Sequence, residues 1–289
     1  MSVGEPFVVV EFRCPACTKR YKVDEKYSGK KTKCKACDQP MEVPFPPLEL
    51  PEEVTAGGST VYRHEARMRD FEPTVGEGDN IEAIDAHITK HIGPVKSVWH
   101  ELISDMVHVD IHFVAPSEKR PWNTLVTSGM SDLPMHCPPE VSQFAHAEVM
   151  VCLPPEWKLD EESLKDDRNY WPLYWLKSLA RFPHEYETWL FEGHTIPNGD
   201  PAEPLFEGSG FVGWMLYWPV LADEKFYELK ISAEKTIYFL AIYPLFQGEM
   251  DLKLKKGVET LAKRFDEYQV TELIDVDRKD SSKRRGWFS

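Results

Sequence analysis

Residues 107–114 read VHVDIHFV, and this stretch decides the fold class. Its apolar residues alternate with His108, Asp110 and His112, which is the period-two pattern of a strand with one apolar face. Short runs rich in β-branched and aromatic residues predict three more strands further along the chain: NTLVTSG (123–129), HAEVMVCL (146–153) and KTIYFLAIYPLF (235–246).

Helical patterns lie before, between and after these strands. An isoleucine stripe over 81–92 predicts an amphipathic helix. Residues 171–182, WPLYWLKSLARF, are apolar nearly all round and predict a buried helix with Pro172 in its first turn. An apolar stripe over 246–265 predicts one long helix that runs through Gly257. Because helices and strands follow each other without a regular β-α-β rhythm, we predict an α+β fold.

The composition is that of a globular protein. Of the 289 residues, 42% are hydrophobic and 28% are charged, and the net charge is −14. This apolar content excludes wholesale disorder, and the acidic balance disfavours nucleic acid as a partner for most of the chain. No apolar run reaches the length of a membrane helix, and the first residues lack a basic secretory leader. We therefore expect a cytoplasmic protein with no membrane partner.

Four of the six cysteines stand in two C-x-x-C pairs near the N-terminus. Cys14 and Cys17 form the first pair, Cys34 and Cys37 form the second, and the spacing between the pairs is typical of a zinc ribbon. Four thiolates complete a tetrahedron around one ion and leave no position for a catalytic water. We therefore predict one structural zinc ion. A redox dithiol pair or an iron–sulfur site is the alternative for the same residues.

Composition divides the chain into three parts. Residues 1–43 are basic overall, whereas the remainder is strongly acidic, and such a change of sign is typical of a domain boundary. Residues 44–75 are rich in proline and then in glycine, as in a tether. We predict a zinc ribbon at 1–43, a linker at 44–75 and one large domain at 76–289. The basic ribbon also leaves open nucleic-acid binding as an alternative function.

His108, Asp110 and His112 share one side of the predicted strand. Two imidazoles and a carboxylate can bind a metal ion or transfer protons, so a metal-dependent enzyme is an alternative interpretation. We favour the simpler one, in which these residues form the solvated side of a half-exposed strand. The sequence contains no G-x-S-x-G nucleophile motif, phosphate-binding Walker loop or dinucleotide-binding glycine pattern. We therefore predict no catalytic residues and a protein that is not an enzyme.

A family resemblance is carried by TSGMSDLPM (127–135). Together with HELISDMVHVDIHFVAP (100–116), FEGHTIPNGDP (191–201) and AIYPLFQGEMDLKLKKG (241–257), it resembles the suppressor-of-fused family in its bacterial form. The resemblance implies a mixed sheet with packed helices, preceded here by the small zinc ribbon. It also implies a protein-binding module. The animal member holds a transcription-factor peptide by strand addition, and bacterial relatives are thought to serve as immunity proteins against toxins or to bind other partners.

The resemblance also locates a contact region. The partner cleft of the animal protein is lined by residues just after a G-[LM]-S-D-L segment, which corresponds here to 129–133, and the aromatic residue that follows there is Pro134 here. The acidic large domain fits an immunity protein for a basic toxin, and a regulator of a partner protein is the other hypothesis. We expect a protein or peptide to bind the loops 128–135 and 192–199, through these residues: Ser128, Gly129, Met130, Ser131, Asp132, Met135, His194 and Asn198.

Overall fold

A computed structural model describes most of the chain. The described residues are 9–24, 27, 30–43, 53–64, 73–74, 80–101 and 104–283. The chain divides into two compact units, Met1–Glu53 and Val54–Ser289. Much of the segment predicted as a linker lies outside the described residues, and the two predicted domain boundaries stay predictions.

The described part of the first unit contains two β-hairpins. Each hairpin is antiparallel, and each carries one C-x-x-C pair just after its first strand. The strands are β1 (Val9–Arg13), β2 (Arg20–Asp24), β3 (Lys31–Lys33) and β4 (Pro40–Glu42).

The second unit combines four helices with a sheet and several short strands. The helices are α1 (Ile81–His91), α2 (Asp167–Glu185), α3 (Gln247–Lys256) and α4 (Val258–Tyr268). The strands are β5 (Glu53–Val54), β6 (Thr60–Val61), β7 (Pro73–Thr74), β8 (Val95–Trp99), β9 (Ser104–Asp105), β10 (Asp110–Val114), β11 (Asn123–Ser128), β12 (Ala147–Leu153), β13 (Thr195–Pro197), β14 (Phe211–Tyr217), β15 (Glu228–Lys230) and β16 (Thr236–Phe246).

Eight strands form the main sheet, in the order β13-β14-β16-β12-β11-β10-β8 with β15 also paired to β16. The β12–β16 pair is parallel and the other pairs are antiparallel, so the sheet is mixed. All four strands predicted from the sequence are present as β10, β11, β12 and β16. The α+β fold class is confirmed.

Helices cover both sides of this sheet, and a hydrophobic core lies on each side. Ile111 and Val149 belong to the core that packs against α2, whereas Val126 and Met150 belong to the core shared with α1 and α4. Every residue of β10, β11 and β12 is buried as a result. The prediction that the polar side of this strand is exposed to solvent is therefore wrong. Period-two alternation indicates that two sides differ in polarity, and it does not show that the polar side meets water.

Two helix predictions also need correction. α2 begins at Asp167, capped by the side chain of Asp166, so Pro172 lies beyond the first turn. The predicted long helix is two helices, α3 and α4, that meet at Gly257, whose φ is 85°. The backbone N–H of Gly57 donates to the carbonyl of Leu254, and this close approach of a second chain segment accompanies the break. In the part of the chain that the structure describes, no helix is long and apolar enough to cross a membrane.

Candidate functional site

The four N-terminal cysteines lie around one point. The Cys14 and Cys37 sulfurs are 3.7 Å apart, and the Cys17 and Cys34 sulfurs are 3.5 Å apart. All four sulfurs lie within 4.8 Å of one another. Zinc–sulfur bonds of about 2.3 Å in a tetrahedron place the sulfurs about 3.8 Å apart. The cluster therefore has the dimensions of a four-thiolate metal site.

Tight turns direct each cysteine pair inward. The N–H of Thr18 donates to the carbonyl of Cys14, and the N–H of Asp38 donates to that of Cys34, which closes the same turn twice. Thr18 and Asp38 both have positive φ, at 56° and 53°. Tyr21 supports the second pair, since its hydroxyl lies 3.1 Å from the Cys34 sulfur. This contact lowers the pKa of Cys34 to about 6 and so favours the thiolate that a metal ion binds.

The segment 128–135 forms a turn with little freedom. Gly129 has a φ of 105°, and a Cβ there would lie 1.7 Å from the carbonyl oxygen of His108. Ring nitrogens of His184 and His146 lie 2.9 Å from the carbonyl oxygens of Met130 and Ser131. Because backbone groups of consecutive residues are held from different elements, the turn presents one fixed surface.

Glu148 holds this turn from beneath. Its carboxylate accepts hydrogen bonds from the backbone N–H and the hydroxyl of Ser131, at 2.9 and 2.6 Å, and one from Thr127 at 2.6 Å. Burial raises the pKa of Glu148 to about 7, and the hydrogen bonds from Ser131 and Thr127 oppose this rise. Glu148 is not among the site residues predicted from the sequence. A single carboxylate within the apolar strand HAEVMVCL is nevertheless a signal of a buried polar contact.

The turn exposes only part of the contact set expected from the sequence. Ser128, Gly129, Met130, Ser131 and Met135 are buried, so they shape the turn. The accessible side chains of the turn are those of residues 132–134. Asp132 is half-buried and accepts a hydrogen bond from Asn80, Leu133 is 45% exposed, and Pro134 is exposed.

The second expected segment, 192–199, contains β13 at one edge of the main sheet. His194 and Asn198 flank this strand and bond to β14 through their backbone, so the backbone groups of Thr195 and Pro197 point away from the sheet. The imidazole of His194 is half-buried, and burial together with the nearby Lys253 ammonium lowers its pKa to about 4. His194 is therefore neutral at physiological pH.

An open cleft lies beside β15 and β16. We call it the aromatic cleft; its volume is about 550 Å³, and its walls are Trp218, Glu224, Lys225, Tyr227, Glu228 and Tyr238. Tyr238 contacts Phe144 and Phe191 behind it, with ring centroids 5.2 and 5.6 Å away. Phe191 directly precedes the segment 192–199. Phe144 directly precedes Ala145, whose carbonyl accepts a hydrogen bond from the N–H of Met135. These aromatic residues are half-buried, and the sequence analysis did not assign them to a site.

His108 and Asp110 lie together, but His112 does not join them. Its imidazole is fully buried and lies 3.0 Å from the Ser128 hydroxyl and 3.4 Å from an Asp85 carboxylate oxygen. His100 occupies the third place instead, 2.9 Å from Asp110. Among the described residues, His100, His108 and Asp110 form the one potential metal-ligating group besides the cysteines.

The fold and these surfaces are consistent with a protein-interaction module. The sequence profile of the suppressor of fused protein (SUFU) matches residues 105–279, more than half of the chain. The chain belongs to the suppressor-of-fused family, as its sequence indicated. No curated protein sequence matches the chain.

One solved structure shows the same fold, and two others are similar to parts of the chain. A suppressor-of-fused homolog from Neisseria gonorrhoeae is 18% identical, with a TM-score of 0.50 over 72% of this chain and 99% of that chain. The Sufu-Fu complex structure is 15% identical, with a TM-score of 0.49 over 73% and 93%. Drosophila Suppressor of Fused is 13% identical, with a TM-score of 0.39 over 64% and 45%.

Proposed function

We propose that this chain is a non-enzymatic protein-binding module whose partner contacts the 128–135 turn, the 192–199 segment and the aromatic cleft. The observation that carries the proposal is the cleft. Its half-buried tyrosine and tryptophan side chains are the residue types in which protein interfaces concentrate binding energy.

The edge strand β13 supports the same surface. Its outward backbone groups can pair with an extended partner segment, which is the strand-addition mode of peptide recognition. Pro197 has no N–H, so the edge offers few hydrogen bonds and does not bind strands indiscriminately. We propose that a partner peptide pairs with Thr195 while its side chains enter the aromatic cleft.

The buried residues that the sequence predicted as partner contacts have a structural function in this proposal. Gly129, Met130 and Ser131 fix the turn, and Asp132 and Leu133 touch the partner. The acidic chain, with a net charge of −14, favours fast encounter with a basic partner. We propose a basic protein toxin as the partner, with the chain acting as its immunity protein, and a partner regulated by this chain as the alternative.

Affinity capture from the native cell tests this proposal. The bait is the full tagged chain, compared with Leu133→Asp and with the control Val276→Asp, since both apolar residues are 45% exposed. We expect the unmodified bait and the control to retain the same protein, and Leu133→Asp to retain at least about tenfold less. Equal retention by Leu133→Asp, or loss with the control, would contradict this placement. The identity of the protein distinguishes a toxin from a regulated partner.

A second pair of variants tests the aromatic cleft. Tyr227→Ala removes one wall, whereas Tyr174→Ala removes a 52% exposed tyrosine on α2. We expect only Tyr227→Ala to weaken binding of the captured partner, measured by calorimetry with the purified proteins. Identical affinities for the two variants would exclude the cleft from the interface.

We also propose that Cys14, Cys17, Cys34 and Cys37 hold one structural zinc ion. The sulfur–sulfur distances fit a tetrahedral four-thiolate site, and such a site leaves no open position for a substrate. A small unit of two hairpins buries little apolar surface, so bound zinc supplies much of its folding free energy. None of the six cysteines forms a disulfide, which fits the reducing cytoplasm that we propose as the location.

Metal analysis of the full chain tests the zinc assignment. We expect Cys17→Ser to lose zinc from this site, and the control Cys137→Ser, which changes a cysteine of the large unit, to keep it. Visible absorption of a bound iron–sulfur cluster, or zinc binding that Cys17→Ser leaves unchanged, would overturn the assignment.

A further inference from the structure

We propose that His100, His108 and Asp110 form a second metal site, which binds a divalent zinc ion independently of the cysteine cluster. This proposal does not depend on the partner-binding function, because the three residues lie outside the turn, segment and cleft assigned to it.

Pairing of neighbouring strands brings the three side chains together from within eleven consecutive residues. β8 and β10 are antiparallel neighbours, with Trp99 opposite Ile111. His100, one residue beyond β8, therefore lies beside Asp110, the first residue of β10. His108 returns to the same point just before β10. The His100 Nδ1 lies 2.9 Å from Asp110 Oδ2, and the His108 Nε2 lies 3.0 Å from Asp110 Oδ1.

Hydrogen bonds orient the His108 ring so that its Nε2 faces Asp110. Glu101 is paired with Arg181 and with Lys177, so it is an ionised acceptor, and the Ser104 hydroxyl donates its only proton to Glu101 at 3.0 Å. His108 Nδ1 lies 2.8 Å from the same hydroxyl oxygen. It must therefore be the protonated nitrogen of this contact.

The Nε2 of His108 then faces a carboxylate oxygen of Asp110 at 3.0 Å, and both atoms are of the types that bind zinc. Ser104 gives His108 the outer support typical of metal-ligating histidines, whose second ring nitrogen is hydrogen-bonded to a neighbouring group. The ligand atoms of His100, His108 and Asp110 all lie within 4.8 Å of one another, so one ion can reach all three.

The three side chains are suitable zinc ligands, and the site is accessible from solvent. Two imidazoles and one carboxylate are borderline ligands, and with a water molecule they complete the tetrahedron that zinc prefers. The side chain of Asp110 is 1% exposed and held in place by the N–H of Glu101 at 3.3 Å. The His100 side chain is 62% exposed, so an ion can enter from solvent without unfolding the strand.

Zinc stoichiometry of the full chain tests the proposal. After equilibration with buffered micromolar free zinc, we expect about two ions per chain in the unmodified protein, and about one in His100→Ala and His108→Ala. His136→Ala, which removes an exposed histidine elsewhere, is the control and keeps two. His100→Ala is the primary variant because its exposed side chain can be removed with little effect on folding. One ion in the unmodified protein, retained by His100→Ala and His108→Ala, would overturn the proposal.

Cobalt substitution separates the two sites. Cobalt in the cysteine site shows sulfur-to-metal charge-transfer absorption, whereas cobalt bound by nitrogen and oxygen lacks that band. We expect His108→Ala to lose only the weak bands of the nitrogen–oxygen site. We expect Ser104→Ala to keep the site with about 10- to 100-fold lower affinity, since it removes only the outer support. Unchanged affinity in Ser104→Ala together with two ions in His108→Ala would place the second ion elsewhere.

Discussion

The buried carboxylate of Glu148 accepts two hydrogen bonds from Ser131, one from its backbone N–H and one from its hydroxyl. The turn that we propose as a partner contact is thereby attached to the central strand β12. Since Glu148 is fully buried, its protonation state and the stability of the protein are coupled.

Glu148 makes stability depend on pH. Burial raises its pKa from 4.5 to about 7 in the folded protein, so the folded state holds more protons than the unfolded state between these values. Its contribution to the free energy of unfolding is greatest at low pH and falls by up to about 3 kcal/mol as pH rises through 7. Burial lowers the pKa of His146 and His184, which act in the opposite direction.

The variant Glu148→Gln isolates this contribution, because it cannot ionise. We expect its free energy of unfolding, measured in urea from pH 5 to pH 8, to fall less between pH 5 and pH 7 than that of the unmodified protein. The histidines contribute equally to both curves. Parallel curves for the two proteins would show that Glu148 does not titrate in this range.

Gly129 tolerates no side chain. A Cβ would lie 1.7 Å from the His108 carbonyl oxygen, and φ is 105°. We expect Gly129→Ala to lower the free energy of unfolding by about 3 kcal/mol or more, since both a clash and an unfavourable φ result. Gly58→Ala is the matched control, with a φ of 81° and no atom within 4 Å of its Cβ, and we expect it to lose about 1 kcal/mol. Equal losses would contradict the close approach at Gly129.

A buried ion pair fixes the segment after α4. Arg278 contacts both carboxylate oxygens of Glu249, at 2.6 and 2.7 Å, and Glu249 is fully buried. We expect Arg278→Met to lower the free energy of unfolding by about 3–5 kcal/mol, because a buried carboxylate loses its counter-charge. The control Arg264→Met breaks an exposed pair with Glu267 and should cost less than about 1 kcal/mol. Denaturant unfolding measures the free energy of unfolding of both variants. Similar losses in the two variants would contradict the larger cost of breaking the buried ion pair.

Tyr21 supports the cysteine cluster from outside. We expect Tyr21→Phe to lower zinc affinity by about 10- to 100-fold, because the hydroxyl contact with the Cys34 sulfur is lost while all four ligands remain. Competition with a zinc chelator measures the change. Tyr62→Phe, at a 49% exposed tyrosine, should leave the affinity unaltered. A chelator curve for Tyr21→Phe that overlays the unmodified one would show that this contact does not support the ion.

The cysteine cluster and the strands could be predicted from sequence because both depend on local spacing. A C-x-x-C turn places two thiols through a few backbone torsions, and a strand alternates its side chains whatever lies around it. The family resemblance rested on contiguous segments for the same reason. These features account for the fold class and for the potential metal site at the N-terminus.

Only the tertiary structure decided which polar residues are buried and which residues meet. His100 lies near His108 and Asp110 because β8 pairs with β10, and Glu148 supports Ser131 because β11 lies beside β12. Alternation along one strand carries no information about the helix that covers its polar side. The aromatic cleft likewise unites residues from β15, β16 and the connection between β14 and β15. Such contacts depend on long-range packing, whose energy is shared among many residues and is not carried by any short motif.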